Sequence, residues 1–528
     1  MAMEKRSPEI GGTGGSCINL GFYAENLQKE KHDNVFCTKI SKLESQKALS
    51  TGSAPKRKTR KSTQIFAAFA ANMGAFALGS VLSWTATGLP SLRASGELGH
   101  LDGSEDTWIG SIATLGAVAA CPFAGYGITN FGRRMTMLLL TVPFLGGWLL
   151  IFFAQDFAMI YAGRFLTGFC GGAFTIAAPV FIAESADVKI RGGLASGFDL
   201  MVSVGMLYIY AIGAYTSWHT QALCCGLIPI VFHILMCFVP ESPRYLIEIG
   251  DHGKATKALS WLYGMDETEV QDDLKKLIQS VEESKARPVT FRKIIMKMSV
   301  LKPIVVCLGL MLFTTMSGYD AVTFYTVDIF QSAGTNIDPR QSTIILGAIQ
   351  VIATIPAAFI VDKYGRRLLL MISEIFMCIS LAALGAYFYM KRDDICSSCN
   401  HISLGWLPLT SLTVFLIAYS VGIGPLSLMM IGELLPSHIK GLASCAVLSF
   451  RWMLGFAVTK LFEDIEQDLG RDGCYWLFSV ACFLGCFFVY FCMPETKGKS
   501  LDEIQRFFVS PAKLQQERQE EEIEQTGA

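Results

Sequence analysis

Twelve apolar runs dominate this chain, at about 63–84, 107–128, 136–154, 158–183, 194–216, 221–239, 302–330, 341–361, 369–389, 406–432, 441–462 and 474–493. Coiled as helices at about 1.5 Å per residue, runs of this length match the roughly 30 Å hydrocarbon core of a bilayer. No water reaches that core to satisfy backbone amides, so each run is held to a helix, which supplies every partner from within. The apolar residues come as whole runs rather than as one face of an amphipathic pattern. Of the 528 residues, 52% are hydrophobic and only 17% charged. That distribution excludes a soluble domain and predicts an all-α membrane protein with twelve transmembrane helices embedded in the lipid bilayer.

Charge is informative here by position rather than by total. The formal net charge is −1, with no basic stripe suited to nucleic acid. Lys56–Lys61, Arg133-Arg134, Lys189 with Arg191, the 240–300 segment, Lys363 with Arg366-Arg367, and Lys440 fall on one side of the runs. Glu97, Asp102, Glu105, Asp106, Asp156, Glu463, Asp464 and Asp468 fall on the other. The positive-inside rule makes the first side cytoplasmic, and an even number of crossings brings both termini there. Residues 1–62 are polar, without an early apolar core, which predicts a disordered cytoplasmic tail and no cleavable signal peptide. Ala2 leaves no signal for N-myristoylation. The expected layout continues with a six-helix bundle over 63–239 and a cytoplasmic linker over 240–301, with short amphipathic helices near Asp251–Tyr263 and Glu267–Lys285. A second six-helix bundle over 302–493 and a cytoplasmic tail over 494–528 complete it.

The chain then repeats itself. Gly132-Arg133-Arg134 follows the second run, and Gly365-Arg366-Arg367 follows the eighth. Glu184 precedes Arg191-Gly192 after the fourth run, as Glu433 precedes Lys440-Gly441 after the tenth. Pro240-Glu241-Ser242-Pro243-Arg244 closes the sixth run, and Pro494-Glu495-Thr496-Lys497-Gly498 the twelfth. Matched marks at matched places predict two six-helix halves related as parallel repeats, with a solute site between them near the midplane. The marks carry both signs of charge. Glu184, Glu433 and Asp362 are placed to meet Arg133, Arg134, Arg191, Arg366, Arg367 and Lys440 when the halves close at the cytoplasmic face. A purely topological role explains the basic residues but not the repeated glutamates.

The seventh run is polar in its middle. Thr314, Thr315, Ser317, Tyr319, Asp320, Thr323 and Tyr325 place hydroxyls and a carboxylate at membrane depth, with Gly318 loosening the helix among them. Such groups face protein or a watery path, and Asp320 favours the path over simple helix packing. Trp84, Trp148 and Trp476, near run ends, are expected as interfacial anchors, and Arg164 as a structural or gating cation. Cys121, Cys170, Cys225, Cys307 and Cys482 lie inside apolar runs as packing residues. Cys396 and Cys399 have only His401 nearby, too few ligands for zinc, which leaves a local disulfide or free thiols. No metal or cofactor is expected. The absence of a Walker loop or nucleophile elbow in the cytoplasmic segments argues against an enzyme and leaves gradients as the driving force.

Over residues 63–510 the chain resembles the sugar-porter branch of the major facilitator superfamily. The residues that carry the resemblance are Gly132-Arg133-Arg134, Gly163-Arg164, Pro179–Glu184 with Arg191-Gly192, Pro240–Arg244, Ser317-Gly318, Asp362 with Gly365-Arg366-Arg367, Glu433 and Pro494–Gly498. Phe324–Phe330 with Ser332-Ala333-Gly334 looks most like facilitated trehalose transporters and animal glucose facilitators. The resemblance implies alternating access around a central sugar site in the plasma membrane, with the cargo a hexose or a disaccharide such as trehalose. Carried over by position, its pocket falls on Asp199, Thr314, Thr315, Asp320, Tyr325, Gln350, Arg451 and Trp452. Family members hold sugar hydroxyls with amides that here read Asp199, Thr314-Thr315 and Arg451, and their Gly-Pro-x-Pro-Trp is Gly424-Pro425-Leu426-Ser427-Leu428. A membrane-buried Arg451 calls for a partner, which Asp320, Asp199 or a charged solute could each supply. Gly79-Ser80-Val81-Leu82 lacks the aspartate of proton-coupled relatives, which favours facilitated diffusion. A proton-coupled or organic-ion carrier using the acquired charges, and a nutrient receptor without turnover, are the alternatives.

Overall fold

The computed structural model describes residues 61–99, 103–286, 298–334, 337–392, 405–436, 439–499, 503–504 and 507–508, and all regular structure among them is helical. The N-terminal half holds α1 (Lys61–Ser95), α2 (Gly103–Asn130), α3 (Arg133–Phe152), α4 (Phe157–Ser185), α5 (Val188–Gly213) and α6 (Trp218–Cys237). Three short helices follow: α7 (Pro243–Glu248), α8 (His252–Tyr263) and α9 (Gln271–Ala286). The C-terminal half holds α10 (Met298–Met316), α11 (Tyr319–Phe324), α12 (Thr326–Ala333), α13 (Pro339–Tyr364), α14 (Arg366–Arg392), α15 (Leu407–Val421), α16 (Ile423–Leu434) and α17 (Lys440–Cys492).

Ten stretches among the described residues are long and apolar enough to cross a membrane. One of them, α17, breaks at Gly470, whose φ of 76° and ψ of 164° leave the helix, and so supplies two spans. With α13 added, the twelve spans of two six-helix repeats are accounted for. Two spans of the C-terminal half are interrupted. The seventh breaks at Gly318, where φ is +82° and a Cβ would lie 2.5 Å from the Phe478 ring. The tenth breaks at Gly422; Ser373 Oγ donates to Ala418 O at 2.7 Å and accepts from Ile423 N at 3.2 Å, satisfying backbone that the break frees.

Helices in lipid gain little from hydrophobic exclusion, so close backbone approach holds them together. On α1 and α5 a Cβ on Gly79 would lie 2.1 Å from Val202 O, and one on Gly205 2.1 Å from Phe76 O. On α2 and α4, Gly116 faces Phe165 O at 2.2 Å and Gly168 faces Ala113 O at 1.9 Å. Gly168→Val is expected to overpack this crossing by about 1–3 kcal/mol or more. The check is the thermal midpoint and monodispersity of detergent-purified protein, with Gly146→Val, whose Cβ meets nothing within 4 Å, as the silent comparison.

The repeated marks build the same clamp twice at the basic face. The Glu241 carboxylate accepts the backbone N–H groups of Arg134 (2.9 Å) and Met135 (3.1 Å) at the start of α3. The Glu495 carboxylate accepts those of Arg366 (3.0 Å) and Arg367 (3.2 Å) at the start of α14. A carboxylate at a helix N-terminus satisfies orphan donors and complements the helix dipole. Gly132 (φ 98°) and Gly365 (φ 92°) make room, since a Cβ would sit 2.6 Å and 2.8 Å from those carboxylates. The second arginine of each mark turns to carbonyls: Arg134 donates to Met236 O and Cys237 O, both at 3.1 Å, and Arg367 donates to Tyr490 O. The first arginine binds the repeated glutamate, Arg133 to Glu184 at 2.8 Å and Arg366 to Glu433 at 3.3 Å, while Ser242 and Thr496 donate to the same glutamates.

These bonds differ from the expectation of inter-half pairs in one respect: each seen here stays inside one half or reaches the short helices after it. Arg133 also meets Glu248 at 3.0 Å. Arg191 donates to Ala186 O at 3.3 Å, and Lys440 to Gly432 O at 2.7 Å, so neither of these contacts is with a carboxylate. The Asp362 side chain, the N-terminal tail and the Cys396/Cys399 pair lie outside the described residues. Burial acts to raise the pKa of Glu495, but the backbone N–H groups of Lys497, Arg366, Arg367 and Thr496 outweigh it and hold the carboxyl below its ordinary value. A depressed folded value gives stability that is full above the unfolded value of about 4.5 and lost as pH falls through the folded one. Glu495→Gln is therefore expected to lower the thermal midpoint at pH 7, with the gap to wild type closing below about pH 4.

Trp84 and Trp148 are corrections to the interfacial reading, at 0% and 1% exposure. Trp84 lies beneath the guanidinium of Arg164, 5.2 Å from ring centroid to Cζ. Arg164 is itself fully buried and donates to Val81 O at 2.8 Å, Thr85 Oγ1 at 2.6 Å and Ile109 O at 3.3 Å, which makes it a structural tie of α1, α2 and α4. Trp476, 38% exposed, keeps the position of an anchor.

Candidate functional site

A cavity opens between the halves, lined by α1, α4 and α5 on one side and by the interrupted seventh and tenth spans, α13 and α17 on the other. Four of the residues expected from sequence reach it: Asp199, Gln350, Arg451 and Trp452. Arg451 lies over the Trp452 ring at 4.7 Å and donates to Asp320 at 3.4 Å, so the partner of the buried arginine is Asp320 in its own half. Asp320 is 3% exposed and stands behind Arg451, outside the lining. Across the cavity, Asp199 lies within electrostatic reach of Arg451 and accepts no side-chain hydrogen bond from any described residue. Gln350 Nε2 donates to Tyr319 Oη at 2.9 Å, and Tyr319 stacks on Tyr419 with centroids 3.6 Å apart and planes 2° from parallel.

Three expected residues sit elsewhere. Thr314 and Thr315 are buried and donate back to Leu310 O (2.7 Å) and Met311 O (2.9 Å) of their own helix, the usual resolution for a threonine that has no solute or neighbour to bond. Tyr325 lies toward the acidic face, stacked on Phe462 at 5.1 Å, its hydroxyl donating to Thr459 O at 3.3 Å. Tyr419 was not foreseen. One of three aromatics in the apolar tenth span, it carries no mark in the sequence that sets it apart from Trp406 and Phe415.

The acidic face is tied across the halves by Arg93, another unforeseen residue. From the last turn of α1 it meets Asp106 of α2 at 2.6 Å, Asp328 of α12 at 3.2 Å and Glu463 of α17 at 3.9 Å. Lys460 of α17 donates to Thr107 and lies over the Trp108 ring at 4.9 Å, and Trp108 meets Phe456 at 6.0 Å between centroids. Above the cavity the halves are thus joined by charge and by aromatic packing, while the basic-face ion pairs among the described residues stay within a half or reach the short helices after it.

Two six-helix repeats around a polar cavity, joined by ion pairs at the acidic face, define a membrane carrier of the major facilitator type. The family model for "Sugar (and other) transporter" matches residues 91–508, and the chain belongs to that family. The facilitated trehalose transporter Tret1 of Polypedilum vanderplanki is 39% identical over 449 residues, covering 84% of this chain and 88% of its own. The Tret1-2 homolog of Drosophila simulans is 40% identical over 450 residues (84% and 90%), and Tret1 of Apis mellifera ligustica 39% identical over 461 residues (86% and 90%). Among solved structures, the proton:xylose symporter XylE bound to 6-bromo-6-deoxy-D-glucose superposes with a TM-score of 0.72 at 22% identity, covering 85% of this chain and all of that one. The inward open form of the xylose transporter XylE from E. coli superposes with a TM-score of 0.67 at 22% identity, covering 83% and 98%. At that identity the likeness speaks for the fold.

Proposed function

We propose that this protein is a facilitative sugar carrier that works by alternating access, with a hexose or a disaccharide such as trehalose as cargo. The observation that carries the reading is the asymmetry of the ion pairs among the described residues: between the halves at the acidic face, and within a half or to the short helices after it at the basic one. A cavity lined from both halves, with ion pairs joining them on one side of it, suits a carrier whose halves rock between solute exchanges. The curated relatives, named as facilitated trehalose transporters, support the cargo class and the absence of an enzymatic step. Basic loops on one face support the plasma-membrane orientation with both termini cytoplasmic.

In this reading Asp199, Gln350, Arg451 and Trp452 contact the sugar, Asp320 holds Arg451 in place, and Thr314, Thr315 and Tyr325 shape the seventh span around them. Trp452 offers a face for the apolar side of a sugar ring, and Gln350 both donates and accepts, as polyol recognition needs. Arg133, Arg134, Glu184, Arg191, Asp362, Arg366, Arg367, Glu433 and Lys440 frame the cytoplasmic gate, the clamps keeping each half rigid while it tilts. Radiolabelled trehalose and glucose uptake into proteoliposomes tests the proposal. Arg451→Gln, which leaves Asp320 buried without its cation, is expected to cut uptake at least tenfold, a change of about 1.4 kcal/mol or more. Unchanged uptake, selectivity and folded yield would remove Arg451 from the pocket.

A further inference from the structure

The charge balance of the cavity points to a narrower cargo. Two carboxylates and one guanidinium meet there. Arg451 is matched within its own half by Asp320 at 3.4 Å, and it rests on the Trp452 ring at 4.7 Å. That leaves Asp199, on the opposite wall. Its neighbours are already committed: Ser203 Oγ donates to the backbone carbonyl of Asp199 at 3.0 Å, Thr354 Oγ1 to Gln350 O at 2.8 Å, and Tyr319 accepts from Gln350. Among the described residues the Asp199 carboxylate, which lines the cavity, therefore has no donor of its own, and when ionised it brings a negative charge beyond the one that Arg451 and Asp320 balance.

The unused hydrogen-bonding atoms complete the pattern. Arg451 Nη1, Trp452 Nε1 and Ser420 Oγ are buried donors without a partner in this structure, and all three residues line the cavity. Donors on the C-terminal wall suit the oxygens of a polyol, while the N-terminal wall offers a lone carboxylate. A neutral sugar would use the first set and leave Asp199 desolvated without a counter-charge, which is costly at membrane depth. We propose that the cavity takes an amino sugar, its protonated amine on Asp199 and its ring hydroxyls on Gln350 and Arg451. This rests on the sugar-carrier reading and names which sugars the site prefers.

The test uses the full chain in proteoliposomes with glucosamine, glucose and N-acetylglucosamine, the last keeping the ring and nitrogen but not the charge. Glucosamine is expected to inhibit labelled glucose uptake at a concentration at least tenfold below that needed for N-acetylglucosamine. In Asp199→Asn the ratio between the two inhibition constants should fall to near one, whatever the absolute rates become. Binding followed by equilibrium displacement of labelled glucose reads the same ratio in a variant too slow to assay. Equal inhibition by the two in wild type, or a ratio untouched by Asp199→Asn, would overturn the proposal while glucose uptake left the carrier reading standing. Glucose uptake driven by an inward proton gradient, with no preference for the amine, would assign Asp199 to a proton and overturn it as well. Absence of any sugar uptake or binding would sink the carrier reading and this inference with it.

Discussion

Arg93→Gln is expected to open the acidic face. The guanidinium is the cation common to Asp106, Asp328 and Glu463, which come from both halves and are between 10% and 27% exposed in their side chains. Its removal deletes three attractions and leaves three carboxylates facing one another across the seam. For partly buried charges this amounts to about 1.5–3 kcal/mol, discounted for the one-third exposure of Arg93, or roughly a tenfold to hundredfold shift toward the state open on that side. A cysteine at Ile329, buried beneath the network, should then react at least tenfold faster with a membrane-impermeant maleimide applied from the acidic face. Arg93→Lys should fall between the two, since a single ammonium cannot span three partners. Equal labelling in wild type and Arg93→Gln would remove the network from gating.

The second large effect concerns the fold itself. Arg164→Ala removes the largest buried polar side chain of the N-terminal half, along with its donors to α1 and α2 and its contact with Trp84. The cavity left and the lost charge-assisted bonds together should cost about 3–5 kcal/mol. Few membrane proteins would keep a monodisperse peak in detergent after that. A thermal midpoint within a degree or two of wild type would show that packing such as that of Gly116 and Gly168 suffices to hold α2 against α4 without the arginine.

What could be read from sequence followed the length scale of the signal. Apolar runs are set by bilayer thickness and survive any detail of packing, so all twelve spans were legible, including the two that α17 joins through Gly470. The break at Gly318 was legible because glycine stood among polar residues. The repeated marks were visible, but their chemistry was not. A glutamate four spans further along the chain that accepts backbone N–H groups looks in sequence like any partner for the arginines beside it, and the Gly132 and Gly365 conformations that admit it are known only from the coordinates. The pocket was half legible. Asp199, Gln350, Arg451 and Trp452 sit on helix faces that meet the cavity, whereas Thr314 and Thr315 bond their own helix and Tyr325 lies too near the acidic face. Arg93 was unreadable as a tie because the segment following it looked like a loop, yet α1 continues through Ser95. Glu374, fully buried in α14 beside Gly485, also gave no warning, since one carboxylate in a long apolar run leaves the periodicity intact.

The carboxylate that fastens the start of α14 arrives from beyond the last membrane crossing. A message truncated just after Cys492 would therefore yield a polypeptide with every crossing present, insertion-competent and of nearly full length. It would nonetheless carry a loose ninth span, because the carboxylate that accepts the N–H groups of Arg366 and Arg367 would be missing. The lesion would be confined to the C-terminal repeat, since Glu241 still fastens the start of α3 in the N-terminal one. Nonsense alleles falling in that narrow window should consequently behave as assembly defects, cleared by cellular quality control, rather than as carriers with altered appetite.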